Sequence, residues 1–186
     1  MSSEDTFRKV AEALAEEEER RELALAESRK IIRLSKNAIH AIHVGEDPTG
    51  YLTEMEKRIG SLVSDAPVSG PVNDAMMEYA EAELLYDVIR GHELRGTSEL
   101  GITPEAWVLG LADTIGEIRR VIVTRLMEGD TERAKALFAA MEAIAEELML
   151  FDVPDAVCPV RRKQDVARGI VDKTRSDLLS AELHTR

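Results

Sequence analysis

Four carboxylates in two pairs are the residues of this chain whose spacing could do chemistry. Glu78 and Glu81 stand three apart and Asp113 and Glu117 four apart, so each pair projects from one side of a helix. If neighbouring helices bring the pairs together, four hard oxygen ligands converge, the set that Mg2+ or Mn2+ prefers. A metal held there would activate a water and stabilise charge on a phosphoryl oxygen, which points to a hydrolase. The di-iron carboxylate alternative needs Glu-x-x-His on two helices, and no histidine follows either pair at that offset.

Helical phase treats the two pairs differently. At about 100° per residue, Glu78 and Glu81 fall on the side of Leu85, Val88 and Ile89, whereas Glu83, Asp87 and Arg90 fall opposite, on an expected polar face. Burying carboxylates is costly unless they are paired, protonated or bound to metal; the same phase also fits an edge position that reaches water. Asp113 and Glu117 lie across from the stripe Trp107, Leu111, Ile115, Ile118 and Ile122, and by phase alone read as solvent-facing acids. Their neighbours Ala106, Gly110 and Gly116 are small. An interior helix glycine costs about 1 kcal/mol against alanine, so these positions predict a close approach by another helix or a ligand.

Cations recur at helical spacing too. Arg29, Arg33, Lys36, His40 and His43 follow one another at i, i+4, i+7, i+11 and i+14 on one predicted helix face, a rail that a phosphate backbone could follow. The alternative is a solvated or intersubunit face. Arg120, beside the second acidic pair, joins the rail as a candidate nucleic-acid phosphate contact. Arg161-Arg162-Lys163 opens the last predicted helix, where cations oppose the helix dipole; a ligand would explain them, as would pairing with Asp152, Asp155 and Asp165.

The elements that must position these residues are helices. Apolar periodicity, with glycine and proline between the runs, predicts helices over about 5–44, 49–63, 71–90, 103–128, 131–150 and 160–183. The second ends at Asp65, Pro67 and Gly70, and the fourth starts on Thr103 before Pro104 and Glu105. The acidic run 16–19 reads as a solvated helix face. At 186 residues the chain is expected to form one all-α domain over 1–186, with a core of about 20–178.

Composition narrows the function classes. A net charge of -12 favours an acidic surface, so nucleic-acid binding needs a local basic patch. One cysteine, Cys158, excludes an intramolecular disulfide and a cysteine zinc cluster and suits a reducing compartment. With no secretory leader and no apolar run of transmembrane length, a cytoplasmic protein without membrane contact is expected.

Several segments together resemble the translin superfamily, most closely its archaeal members similar to translin-associated factor X. They are Ser-Arg-Lys-Ile-Ile-Arg-Leu-Ser-Lys-Asn-Ala-Ile-His-Ala-Ile-His at 28–43, Glu-Tyr-Ala-Glu-Ala at 78–82, Leu-Gly-Leu-Ala-Asp-Thr-Ile-Gly-Glu-Ile-Arg-Arg at 109–120, and the basic stretch 161–175. The resemblance implies a seven-helix fold with a long N-terminal helix, assembled into a hollow homo-octamer or another homo-oligomer. It also implies a Mg2+-dependent endoribonuclease acting on single-stranded RNA, with Glu78, Glu81, Asp113 and Glu117 matching the metal-binding catalytic acids. Hydrolysis of this kind leaves a 5′-phosphate on one product. The translin branch binds single-stranded RNA or DNA without such activity, and that is the principal alternative. An all-α nucleotide pyrophosphohydrolase ranks behind it, because those enzymes pair Glu-x-x-Glu with Glu-x-x-Asp and this chain has Asp-x-x-x-Glu.

Overall fold

The computed structural model describes residues 3–65 and 70–184, and these form seven helices and no strand. They are α1 (Ser3–Val44), α2 (Thr49–Asp65), α3 (Gly70–Arg90), α4 (Thr97–Leu100), α5 (Pro104–Met127), α6 (Thr131–Leu148) and α7 (Arg161–His184). Six are the helices that periodicity predicts, with ends shifted by two residues or fewer. The seventh, α4, lies inside a stretch expected as loop. A four-residue helix is too short to show a period; local chemistry makes it instead. The Glu99 carboxylate accepts from the Gly96 amide at 2.8 Å, and Gly101 closes the turn with φ 65°, a left-handed conformation that glycine adopts without strain. Pro67, expected as part of the stop after α2, lies outside the described residues.

The α5 start forms as its sequence predicts. Thr103 Oγ1 accepts from the Ala106 amide at 3.1 Å, and Pro104 takes the first helical position, where a missing N–H costs nothing. The Thr103 hydroxyl also donates to Asn73 Oδ1 at 2.9 Å, tying the start of α5 to α3.

Helices α3 and α5 lie against each other along the middle of the bundle; α1 and α2 pack on the α3 side, and α6 and α7 on the α5 side. Because α3 is enclosed nearly all round, it buries residues in almost every phase, from Val72 and Met76 through Tyr79, Ala82 and Leu84 to Asp87 and Val88. The expected polar face of α3 is therefore not a surface. Glu83 and Asp87 have side chains only 4% exposed, and Arg95, from the connection after α3, clasps both. Its Nη2 lies 2.6 Å from Glu83, its Nε donates to Asp87 at 3.0 Å, and Trp107 Nε1 donates to the Arg95 carbonyl at 2.8 Å. Of the three charges expected on that face, only Arg90 is exposed.

No helix among the described residues is long and apolar enough to cross a membrane.

Candidate active site

One close approach positions the acids. A Cβ placed on Gly110 would come within 2.6 Å of the Met77 carbonyl oxygen and 2.7 Å of Ala80 Cβ, so only glycine lets α5 lie this near α3. One turn on, the Thr114 hydroxyl sits 2.9 Å from the Gly110 carbonyl and 3.3 Å from the Glu81 carbonyl, a polar link across the same seam. From α1, Ser35 Oγ donates to the Glu78 carbonyl at 2.7 Å. Glu78 and Glu81 on α3 are thereby set beside Asp113 and Glu117 on α5. Gly116, the other glycine marked for a close approach, meets only Ile170 Cδ1 at 3.9 Å, an ordinary contact.

The four acids share an electrostatic environment but differ in partners. Glu81 is half-enclosed and has no ion pair among the described residues. Loss of water is the largest influence on its carboxyl, and repulsion from Asp113, Glu78 and Glu117 adds to it. Lys163 opposes them, and the result is a pKa pushed up to about 8. Burial, with help from Asp113, also raises Glu78, against the pull of Lys36. Glu117 goes the other way: a hydrogen bond from His43 Nε2 outweighs burial and holds its carboxyl below the usual range, with Arg120 contributing at 3.8 Å. Asp113 is held from α7, where Lys163 Nζ lies 2.5 Å from each of its oxygens. Asp113 and Glu117, whose phase reads as solvent-facing, are thus engaged by side chains from α7 and α1, and Glu117 lines a cleft.

That cleft, of about 340 Å³, is lined by Lys36, Ile39, His40, Glu78, Glu81, Glu117 and Arg120. The rail on α1 therefore leads into it: Arg29, Arg33, Lys36 and His40 are exposed along one face, and the last two form part of the cleft wall. His43 departs from the rail. Its side chain is 5% exposed and spent on Glu117, because the helix carries this position inward against α5. Arg120 remains exposed at the cleft rim. In the basic cluster on α7, Arg161 lies 3.4 Å from Asp152, while Lys163 turns inward to Asp113. The inward turn of Lys163 was not legible from spacing.

The donor chemistry fits a hard divalent cation: Glu78, Glu81 and Glu117 line one cleft, Asp113 lies close enough to raise the Glu78 and Glu81 carboxyls, and Glu81 has no ion pair of its own among the described residues. Among the described residues, no three acid or imidazole groups already stand around a common coordination point. Lys163 covers both oxygens of Asp113, and His43 covers one of Glu117, so loading the site requires these contacts to rearrange.

The chain is similar to known proteins in sequence and in fold. A model of the Translin family matches residues 51–178. An uncharacterized protein of Methanocaldococcus jannaschii is 33% identical over 174 residues, spanning 90% of this chain and 78% of that protein. Among solved structures, that of the AfC3PO–duplex RNA complex aligns with a TM-score of 0.87 at 33% identity, over 96% of this chain and 97% of the other. The crystal structure of AfC3PO gives 0.86 at 32% identity, over 96% and 98%. Apo-NeC3PO gives 0.82 over 97% and 98%, and at 22% identity it shares the fold alone.

Proposed function

Because the chain belongs to the translin family, we propose that it binds nucleic acid and cleaves single-stranded RNA as a Mg2+-dependent endoribonuclease, working as a cytoplasmic homo-oligomer. One observation carries the reading: carboxylates from two helices converge on a cleft, and the most enclosed of them, Glu81, has no ion pair of its own among the described residues and has a pKa pushed up to about 8, first by loss of water and then by the other acids. Glu78, Glu81, Asp113 and Glu117 are the residues that would hold the ion. A divalent cation of the Mg2+ or Mn2+ class would supply water activation and neutralise charge on the phosphoryl oxygen. The chain's own groups do the rest. Arg29, Arg33 and Lys36 line up along α1 as phosphate contacts and direct a strand toward the cleft. His40 and Arg120 flank its opening. From behind, His43 fixes the orientation of the Glu117 carboxylate. RNA as the substrate is in keeping with the relative AfC3PO, whose structure was solved with duplex RNA.

A second reading, nucleic-acid binding without turnover, is favoured by one feature: Asp113 and Glu117 are already engaged by Lys163 and His43. Incubation of a labelled single-stranded oligoribonucleotide with Mg2+ or Mn2+ separates the two. The nuclease reading expects internal cleavage with 5′-phosphate ends, and about a hundredfold loss or more in Glu81→Gln with RNA affinity kept. Equal cleavage by wild type and Glu81→Gln would remove the site. Binding with no turnover in either metal selects the second reading, and a duplex run in parallel reports strand preference.

A further inference from the structure

Among the described residues, Lys163 is the one cation seated directly on this acidic cluster from outside α1 and α5. It occupies the third position of α7, in a first turn that also carries Arg161 and Arg162. Positive charge at a helix N-terminus opposes the dipole, so the fold gains nothing locally from an ammonium there. What it gains is distant: Nζ lies 2.5 Å from both Asp113 oxygens, in the fork of the carboxylate where a metal would bind side-on. The contact is partly enclosed, with side chains about one-third exposed on each partner, so it is less screened than a surface pair.

We propose that Lys163 is the resident counter-cation of the metal site, holding Asp113 in place before metal arrives and giving up its seat when metal binds. This rests on the metal-site reading of the four acids. Nζ lies in the fork of Asp113, and a divalent ion taking that same position would need the lone pairs that the ammonium uses and would meet it at contact distance, where the two cations repel. Metal loading is therefore an exchange of one cation for another. Two consequences follow. The acids are kept near one another without metal, though not yet around one point, because the ammonium offsets repulsion between the two helices' carboxylates. Metal affinity is also lower than the four carboxylates alone would give, which sets a concentration threshold for loading.

Mn2+ binding by isothermal titration calorimetry at pH 8 tests the exchange, with the full chain as wild type, Lys163→Met, Lys163→Arg and Lys36→Met. Lys36 is the control, because it acts on Glu78 through its field without an ion pair to any of the four acids. Lys163→Met is expected to bind Mn2+ about tenfold more tightly than wild type, Lys163→Arg to stay close to wild type, and Lys36→Met to shift less than Lys163→Met. Thermal melting gives the second readout. Lys163→Met should melt below wild type in EDTA and recover in saturating Mn2+, which also shows that it folds. Equal Mn2+ affinity in wild type and Lys163→Met overturns the exchange while leaving the metal site intact. An equal gain in Lys36→Met reduces the effect to general charge and overturns it as well. No Mn2+ binding by any variant means that the metal-site reading itself has failed.

Discussion

Glu81 and Glu117 face the same cleft and respond to it in opposite directions. Glu117 is offered a hydrogen bond by His43 and the charge of Arg120, which favour its ionised form. Glu81 has lost water and meets three other carboxylates, so it keeps its proton to about pH 8. In an unfolded chain both would titrate near 4.5. The raised pKa of Glu81 means that the folded state binds more protons than the unfolded state between about pH 4.5 and 8. Its contribution to stability is therefore full below 4.5 and lost as pH rises through 8. The lowered pKa of Glu117 contributes above 4.5 and fades as pH falls through its folded value. Glu81→Gln should then gain on wild type by on the order of 2 kcal/mol between pH 5 and pH 8, read from urea unfolding in EDTA. A difference between the two proteins that does not change with pH would show that Glu81 is not strained by its neighbours. At this scale the sequence disclosed Glu78 and Glu81, because they interrupt an apolar stripe. It could not disclose how Asp113 and Glu117 are used, since Lys163 and His43 lie 50 and 74 residues away along the chain.

Among the elements, the α3–α5 seam decides whether the acids meet. Gly110 is its closest point, and the atoms in the way of a Cβ there are the Met77 carbonyl oxygen and Ala80 Cβ, followed by the Glu81 amide nitrogen at 3.0 Å. Most of that is α3 backbone, which cannot swing aside as a flexible side chain would. Gly110→Ala should therefore push α5 from α3 and destabilise the fold by about 1–3 kcal/mol, despite alanine's better helix propensity. Gly116→Ala, with only Ile170 Cδ1 at 3.9 Å, should instead be neutral or stabilising by up to about 1 kcal/mol. Chemical denaturation of the two variants checks the contrast, and equal effects would show that the seam tolerates a methyl group. The small residues on α5 announced this approach in the sequence, without saying which element would make it. The buried Glu83–Arg95–Asp87 cluster was hidden for a different reason. Phase assigns a helix one wet side, and α3 has none at that level, because the connection bearing Arg95 closes over it.

Over the whole molecule, α1 outruns its partners. Its 42 residues span about 63 Å, against about 25 Å for the 17 residues of α2, and no described residue before Ala24 is buried. The stripe that packs α1 into the bundle, at Ala24, Ser28, Ile31, Ser35, Ala38 and Ile42, is interrupted by Arg21 and Glu17 and resumes in the same phase at Leu14, Val10 and Phe7. There the side chains are 65%, 54% and 73% exposed. A seam kept in heptad phase past the end of the body fits a second helix, and the proposed homo-oligomer supplies one in a second copy. An antiparallel crossing centred near residue 12 would set Val10 of each copy against Leu14 of the other, and Arg8 against Glu16 at the start of the acidic run. Six such side chains in a symmetric pair contribute roughly 6–12 kcal/mol at about 1–2 kcal/mol each, against an association cost of about 4–15 kcal/mol. The stripe can therefore strengthen an assembly without being its only interface. Phe7→Glu with Leu14→Glu should weaken self-association at least tenfold in sedimentation equilibrium and leave the helical melt of the body unchanged. An unaltered mass distribution at micromolar concentration would place the assembly surface elsewhere on the molecule.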